Sequence, residues 1–93
     1  MFKFINSMYV LVSNNICVEN GTLETKVLGV FDNFDTAKEE MQKEIQNTIE
    51  DFKDYNTEEE SYSKDGYEYW AIWEKEWFMS NHYEIFIQRK RIQ

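Results

Sequence analysis

The sequence predicts an α+β domain: a single antiparallel sheet in the order β-β-α-β-β, with one long helix packed on one face. Three observations predict it. Residues 8–12 and 23–31 are β-branched segments on either side of Asn20-Gly21, a dipeptide that favours hairpin turns. Residues 34–54 repeat apolar side chains at spacings of three and four. Residues 67–78 and 83–92 are aromatic and β-branched, with no second helical stretch between them. Strands grouped around one helix argue for a helix laid across one sheet face rather than for a parallel α/β arrangement.

Residues 8–12, Met-Tyr-Val-Leu-Val, are apolar on both faces, as in a buried strand. The second strand, 23–31, places Leu23, Thr25, Val27 and Phe31 on one face and Glu24 and Lys26 on the other. Asp32 or Asn33 offers an N-cap, and Thr36 with Glu39 fits a capping box one turn later. The helix stripe is Phe34, Ala37, Met41, Ile45, Thr48, Ile49 and Phe52. Acidic residues fill its other faces, and Asp35 and Glu39 complement the positive end of the helix dipole. Residues 56–65 have no apolar period and read as a mobile acidic loop closed by Gly66. In 67–78 the alternation breaks at Glu74-Lys75-Glu76, which predicts a turn or bulge. Ser80-Asn81-His82 reads as a further turn before the last strand, 83–92.

Ninety-three residues make one domain, 1–93, with residues 1–7 expected as a flexible N-terminal extension. A chain this short needs a dense core, and its 17% aromatic content provides one. One cysteine, Cys17, excludes an intrachain disulfide framework and fits a reducing compartment. Neither a bilayer-spanning apolar run nor a signal-peptide pattern is visible, so a cytoplasmic location is expected.

Charge is concentrated. Residues 32–68 hold thirteen acidic residues and four lysines, a net −9 against −8 for the whole chain. That balance repels nucleic-acid backbones and anionic membranes and favours a basic protein partner, such as a nucleic-acid-binding effector. Acidic charge also keeps small domains soluble, so charge alone does not choose a function. Glu50, Asp51, Asp54, Glu58, Glu59 and Glu60 are the candidates to imitate a row of phosphates and steer such a partner. Tyr69, Trp73 and Trp77 are the candidate anchors, because exposed Trp and Tyr carry much of the energy of protein interfaces. Trp70 and Trp73 stand an odd number apart, so a regular strand buries only one of them. The same rings equally suit self-association through the sheet face or an edge strand, giving a homodimer.

No catalytic motif is present. Cys17 and His82 form a nucleophilic pair only if the fold brings them together. Zinc lacks its four Cys or His ligands, and Glu58-Glu59-Glu60 lacks the alternating spacing of a calcium loop. The expectation is no cofactor, no metal and no enzymatic activity.

The segment from Gly29-Val30-Phe31-Asp32-Asn33-Phe34 to Glu39-Glu40 resembles the strand-to-helix junction of many small bacterial and phage proteins. Ala71-Ile72-Trp73-Glu74 with Asn81-His82-Tyr83-Glu84-Ile85 is similar to their closing hairpin. In size and acidity the chain also resembles, as a class, phage-encoded anti-defence inhibitors, including anti-CRISPR proteins. That likeness implies an inhibitor that occludes a basic surface, and it assigns no residue a role.

Overall fold

The computed structural model describes residues 7–76 and 79–91. The chain runs β1 (Ser7–Cys17), β2 (Thr22–Phe31), α1 (Phe34–Asp51), β3 (Asn56–Tyr62), β4 (Glu68–Glu76) and β5 (Met79–Arg91). All strands join one antiparallel sheet in the order β2-β1-β5-β4-β3. The helix packs over β5, β1 and β2. This is the predicted α+β architecture with one more strand. The long strands stretch the molecule to 59 × 22 × 19 Å.

The first hairpin turns through 18–21, where the Gly21 N–H donates to the Val18 carbonyl at 3.2 Å. Gly21 has φ +64°, a conformation in which an L side chain would crowd its own backbone. β1 extends well past the predicted segment because its polar second half, Ser13-Asn14-Asn15, pairs with strands on both sides. Ser7, expected in a flexible extension, opens β1 and is buried, accepting a hydrogen bond from Arg89 Nε at 3.0 Å. The remainder of that expectation, residues 1–6, lies outside the described residues.

β2 corrects one prediction. The register shifts where Leu11 and Val12 of β1 meet Gly29 and Val27, leaving Leu28 as an extra residue. A bulge reverses the alternation beyond it. Phe31 therefore packs with the core, while Leu23 and Val27 stay 64% and 65% exposed.

The helix begins where expected. Asn33 is the N-cap, and its Oδ1 accepts from the Thr36 N–H at 2.8 Å. Ala37, Met41, Ile45 and Thr48 are buried, with Phe34, Ile49 and Phe52 packed around them. Burying a side chain such as Ile45 or Met41 contributes about 1.5–3 kcal/mol, which is why this stripe and not helix propensity holds α1 in place. The helix ends at Asp51 rather than Asp54, with Phe52 as its C-cap. Phe52 stacks on Trp73 (4.9 Å, 17°), and Trp73 stacks on Tyr83 (5.5 Å, 20°).

The second correction is β3. Residues read as a mobile loop form a strand, exposed along its whole length, at the sheet edge beside β4. An edge strand with solvent on both sides has no apolar alternation to betray it. Its signal is the turn that follows. The Gly66 N–H donates to the Ser63 carbonyl at 3.1 Å, Gly66 has φ +78°, and Asp65 accepts from Ser63 Oγ at 2.7 Å. Asp65-Gly66 is a hairpin dipeptide of the same kind as Asn20-Gly21. The predicted turn at 80–82 is also overturned, since β5 already runs from Met79. The break predicted at 74–76 is a register shift between Glu74 and Glu76.

Candidate functional site

The sheet has one face under the helix and one face open. Alternation assigns the side chains. Tyr69, Ala71 and Trp73 on β4 and Tyr83, Ile85 and Ile87 on β5 are buried on the helix side. Trp70 and Ile72, with Glu84 and Phe86 as the β5 residues between those buried ones, are half-buried on the open side. Val10, Val12 and Ile16 of β1 and Leu23, Val27 and Val30 of β2 continue this face.

Within it lies a groove of about 420 Å³, lined by Asn14, Ile16, Glu68, Trp70, Ile72, His82 and Glu84 among others. Register explains the grouping. Trp70 is the cross-strand partner of Glu84, and Ile72 of His82. Asn14 and Ile16 are the partners of Glu84 and His82 on the other side. Glu68 precedes Trp70 on the same face of β4. The carboxylate of Glu84 is fixed: its Oε1 accepts from Asn14 Nδ2 at 2.8 Å. Asn14 Oδ1 in turn accepts from Thr25 Oγ1 at 2.6 Å. Three adjacent strands therefore hold one carboxylate beside one indole. An indole flanked by Glu68 and Glu84 is suited to a lysine or arginine side chain, which gains both ring and carboxylate attraction.

The acidic candidates fall elsewhere. Glu50 and Asp51 occupy the last turn of α1, which contains no basic residue, and Asp54 follows it. Carboxylates there oppose the helix dipole. Lys53 Nζ lies 3.2 Å from Glu50 Oε1, a pair exposed enough to contribute little. Glu58, Glu59 and Glu60 are exposed along β3. The chain passes from the helix end through Asp54 into this edge strand, while α1 itself packs over β5, β1 and β2 and not over β3. On β3 the charges have a structural use too, because they discourage another strand from adding to the edge. Glu60 has a further tie: its Oε2 accepts from Tyr69 Oη at 2.8 Å.

The aromatic candidates are corrected. Tyr69 is 0% exposed and Trp73 is 2% exposed, so both are core residues and neither can anchor a partner. Alternation placed the helix under them and left Trp70 on the open face. Burial and the bond to Glu60 push the Tyr69 phenol well above its ordinary range. Burial pushes Tyr83 up to about 12. Tyr83 Oη has no hydrogen-bond partner among the described residues, and the nearby Thr48 hydroxyl donates to the Glu44 carbonyl. Trp77 lies outside the described residues. The residues that sequence reasoning missed are Trp70, Glu68, Glu84 and Asn14. The parity of Trp70 and Trp73 carried the signal, once the buried parity was known.

Cys17 and His82 are not brought together as a catalytic pair. Cys17 is the partner of Asn81 and lies in a second depression with Phe52, on the helix side. His82 is the partner of Ile16 and lines the open-face groove. The sheet stands between them. Among the described residues, no group of three or more His, Cys, Asp or Glu is placed to hold a metal ion, and no helix is long and apolar enough to cross a membrane.

Comparison with protein-family models, with curated proteins and with solved structures finds no match to this chain.

Proposed function

We propose that this chain is a non-enzymatic binding protein that seats a basic side chain of a protein partner in the groove at Trp70. The observation that carries the reading is the fixed Glu84 carboxylate beside the half-buried Trp70 indole, with Glu68 on the same face. The exposed carboxylates of Glu50, Asp51, Asp54, Glu58 and Glu59 add long-range attraction, which speeds encounter with a basic surface more than it prolongs the complex. A partner that uses its basic surface to handle nucleic acid would be occluded by such contact, so the biological role is that of an inhibitor of the anti-defence type. The net charge of −8 supports the same partner class.

The test is titration of the protein with an arginine nonapeptide, read by tryptophan fluorescence. Trp70→Ala and the double variant Glu68→Gln/Glu84→Gln are each expected to weaken binding about tenfold or more. Glu58→Gln/Glu59→Gln is expected to slow association and flatten its salt dependence while leaving dissociation unchanged. Wild-type affinity in Trp70→Ala would overturn the reading.

A second reading has its own observation. Val27, Val12 and Phe86 form an apolar row across β2, β1 and β5 on the open face. Rows like this are buried when one sheet packs face to face on another. Loss of a dimer in Phe86→Glu, measured by sedimentation, would favour self-association through this face.

A further inference from the structure

The sheet has two edges, and they differ in kind. β3 carries Glu58, Glu59 and Glu60 in succession, so a second β3 beside it would bring carboxylates together. β2, at the other edge, has one acid and one base, Glu24 and Lys26. A bare edge strand is a template for another strand unless charge, proline or a short length blocks it. β2 runs from Thr22 to Phe31 and is exposed from Thr22 to Val27.

We infer that β2 pairs antiparallel with β2 of a second copy about a two-fold axis at Thr25, joining two five-stranded sheets into one. In a two-fold interface, if residue i meets residue j of the copy, then j meets i. With Thr25 at the centre, Glu24 faces the copy's Lys26 and Lys26 faces the copy's Glu24. Leu23 then faces Val27, covering side chains that are otherwise about two-thirds exposed. Moving the centre by one residue sets Glu24 against Glu24 or Lys26 against Lys26. Like charges directly opposite each other destabilise a strand pair. The sequence of β2 thus singles out one register.

Within one chain, Lys26 Nζ already lies 3.5 Å from Glu24 Oε1, with both side chains mostly in solvent. Such a pair contributes little by itself, so its charges are free to engage the copy. The turn at 18–21 and the extra residue Leu28 bound the paired stretch to residues 22–28. An interface this short gives a dimer that dissociates on dilution. The axis is perpendicular to the sheet, so both helices lie on one side and both open faces on the other. The groove at Trp70, built on β1, β4 and β5, stays accessible in each copy. The pairing is therefore independent of the function proposed above.

Sedimentation equilibrium of the full chain tests it. The wild type is expected to pass from monomer to dimer over the micromolar range. Glu24→Lys alone and Lys26→Glu alone should each weaken the dimer about tenfold or more. The double exchange Glu24→Lys/Lys26→Glu keeps the net charge and should restore it. Phe86→Glu should leave it unchanged. In a Cys17→Ser background, Thr25→Cys should oxidise to a disulfide-linked dimer, because residues directly opposite in an antiparallel pair have Cα atoms about 4.5–5.5 Å apart. Leu23→Cys, which faces Val27, should not cross-link. A wild type that stays monomeric overturns the inference, as does failure of the double exchange to restore the dimer or cross-linking through Leu23→Cys. Open-ended polymers, which a β2-to-β3 contact would build, overturn it as well.

Discussion

Tyr69 donates its phenolic hydrogen to Glu60 across 2.8 Å, tying a fully buried ring of the core to a carboxylate on the outermost strand. The bond divides the three consecutive glutamates of β3 by role. Glu60 satisfies a polar atom that burial would otherwise leave unpaired, while Glu58 and Glu59 stay in solvent. Glu60→Ala is expected to cost about 1–3 kcal/mol, the usual effect of orphaning a buried donor. Glu58→Gln/Glu59→Gln should stay within about 0.5 kcal/mol of wild type. Urea denaturation of the two variants checks the split. Equal effects would mean that the bond contributes nothing.

The raised tyrosines make stability fall in strong alkali. Burial comes first for both, with the Glu60 bond adding to it at Tyr69, and each phenol holds its proton above the ordinary value of 10.0. Below pH 10 the folded and unfolded chains carry the same protons at these groups, and their contribution is complete. Above it the unfolded chain ionises first, so stability is lost as pH rises from 10 through about 12, where Tyr83 titrates in the fold. Thermal unfolding between neutral and strongly alkaline pH should show a plateau and then a steep fall. Tyr69→Phe or Tyr83→Phe should make that fall shallower, and an unchanged slope in both would refute the assignment.

Met41 lies at the centre of the helix stripe and is 1% exposed. Met41→Asp places a charge there without a partner, at a cost of about 3–5 kcal/mol. That is a large share of the stability of any domain this small. Glu39→Ala, on the exposed side of the same helix, should have little effect. An unchanged melting temperature in Met41→Asp would show the wrong face of α1 against the sheet.

How much of this was legible follows from periodicity. The α1 stripe could be read directly because a helix buried on one side repeats its apolar residues every three or four positions, from Phe34 to Phe52. β2 could be read as a strand but not face by face, since one extra residue, Leu28, inverts everything beyond it. β3 had no period because neither of its faces is buried, and only Asp65-Gly66 marked the hairpin that creates it. The groove was half legible. Parity showed that Trp70 and Trp73 must part company, but only the position of the helix decides which becomes core. The relay from Thr25 through Asn14 to Glu84 crosses three strands that are distant in sequence, and it needs the sheet order to be seen.

The separation of Cys17 from His82 gives the last prediction. A nucleophile and its base must come within hydrogen-bond reach, and both are lost together when either is removed. Here one side chain shares the helix-side depression with Phe52, and the other lines the open groove with Trp70. Their variants should therefore behave differently. Cys17 Sγ makes one exposed contact, to Glu19 Oε1 at 3.5 Å, so Cys17→Ser should leave both fold and peptide binding unchanged. His82→Ala removes part of the groove wall and should weaken binding of the arginine nonapeptide a few-fold without changing the melting temperature. Melting curves and peptide titrations on the two variants settle the matter. Equal and complete loss of function in both, with the fold intact, would restore the catalytic pair and remove the groove from consideration.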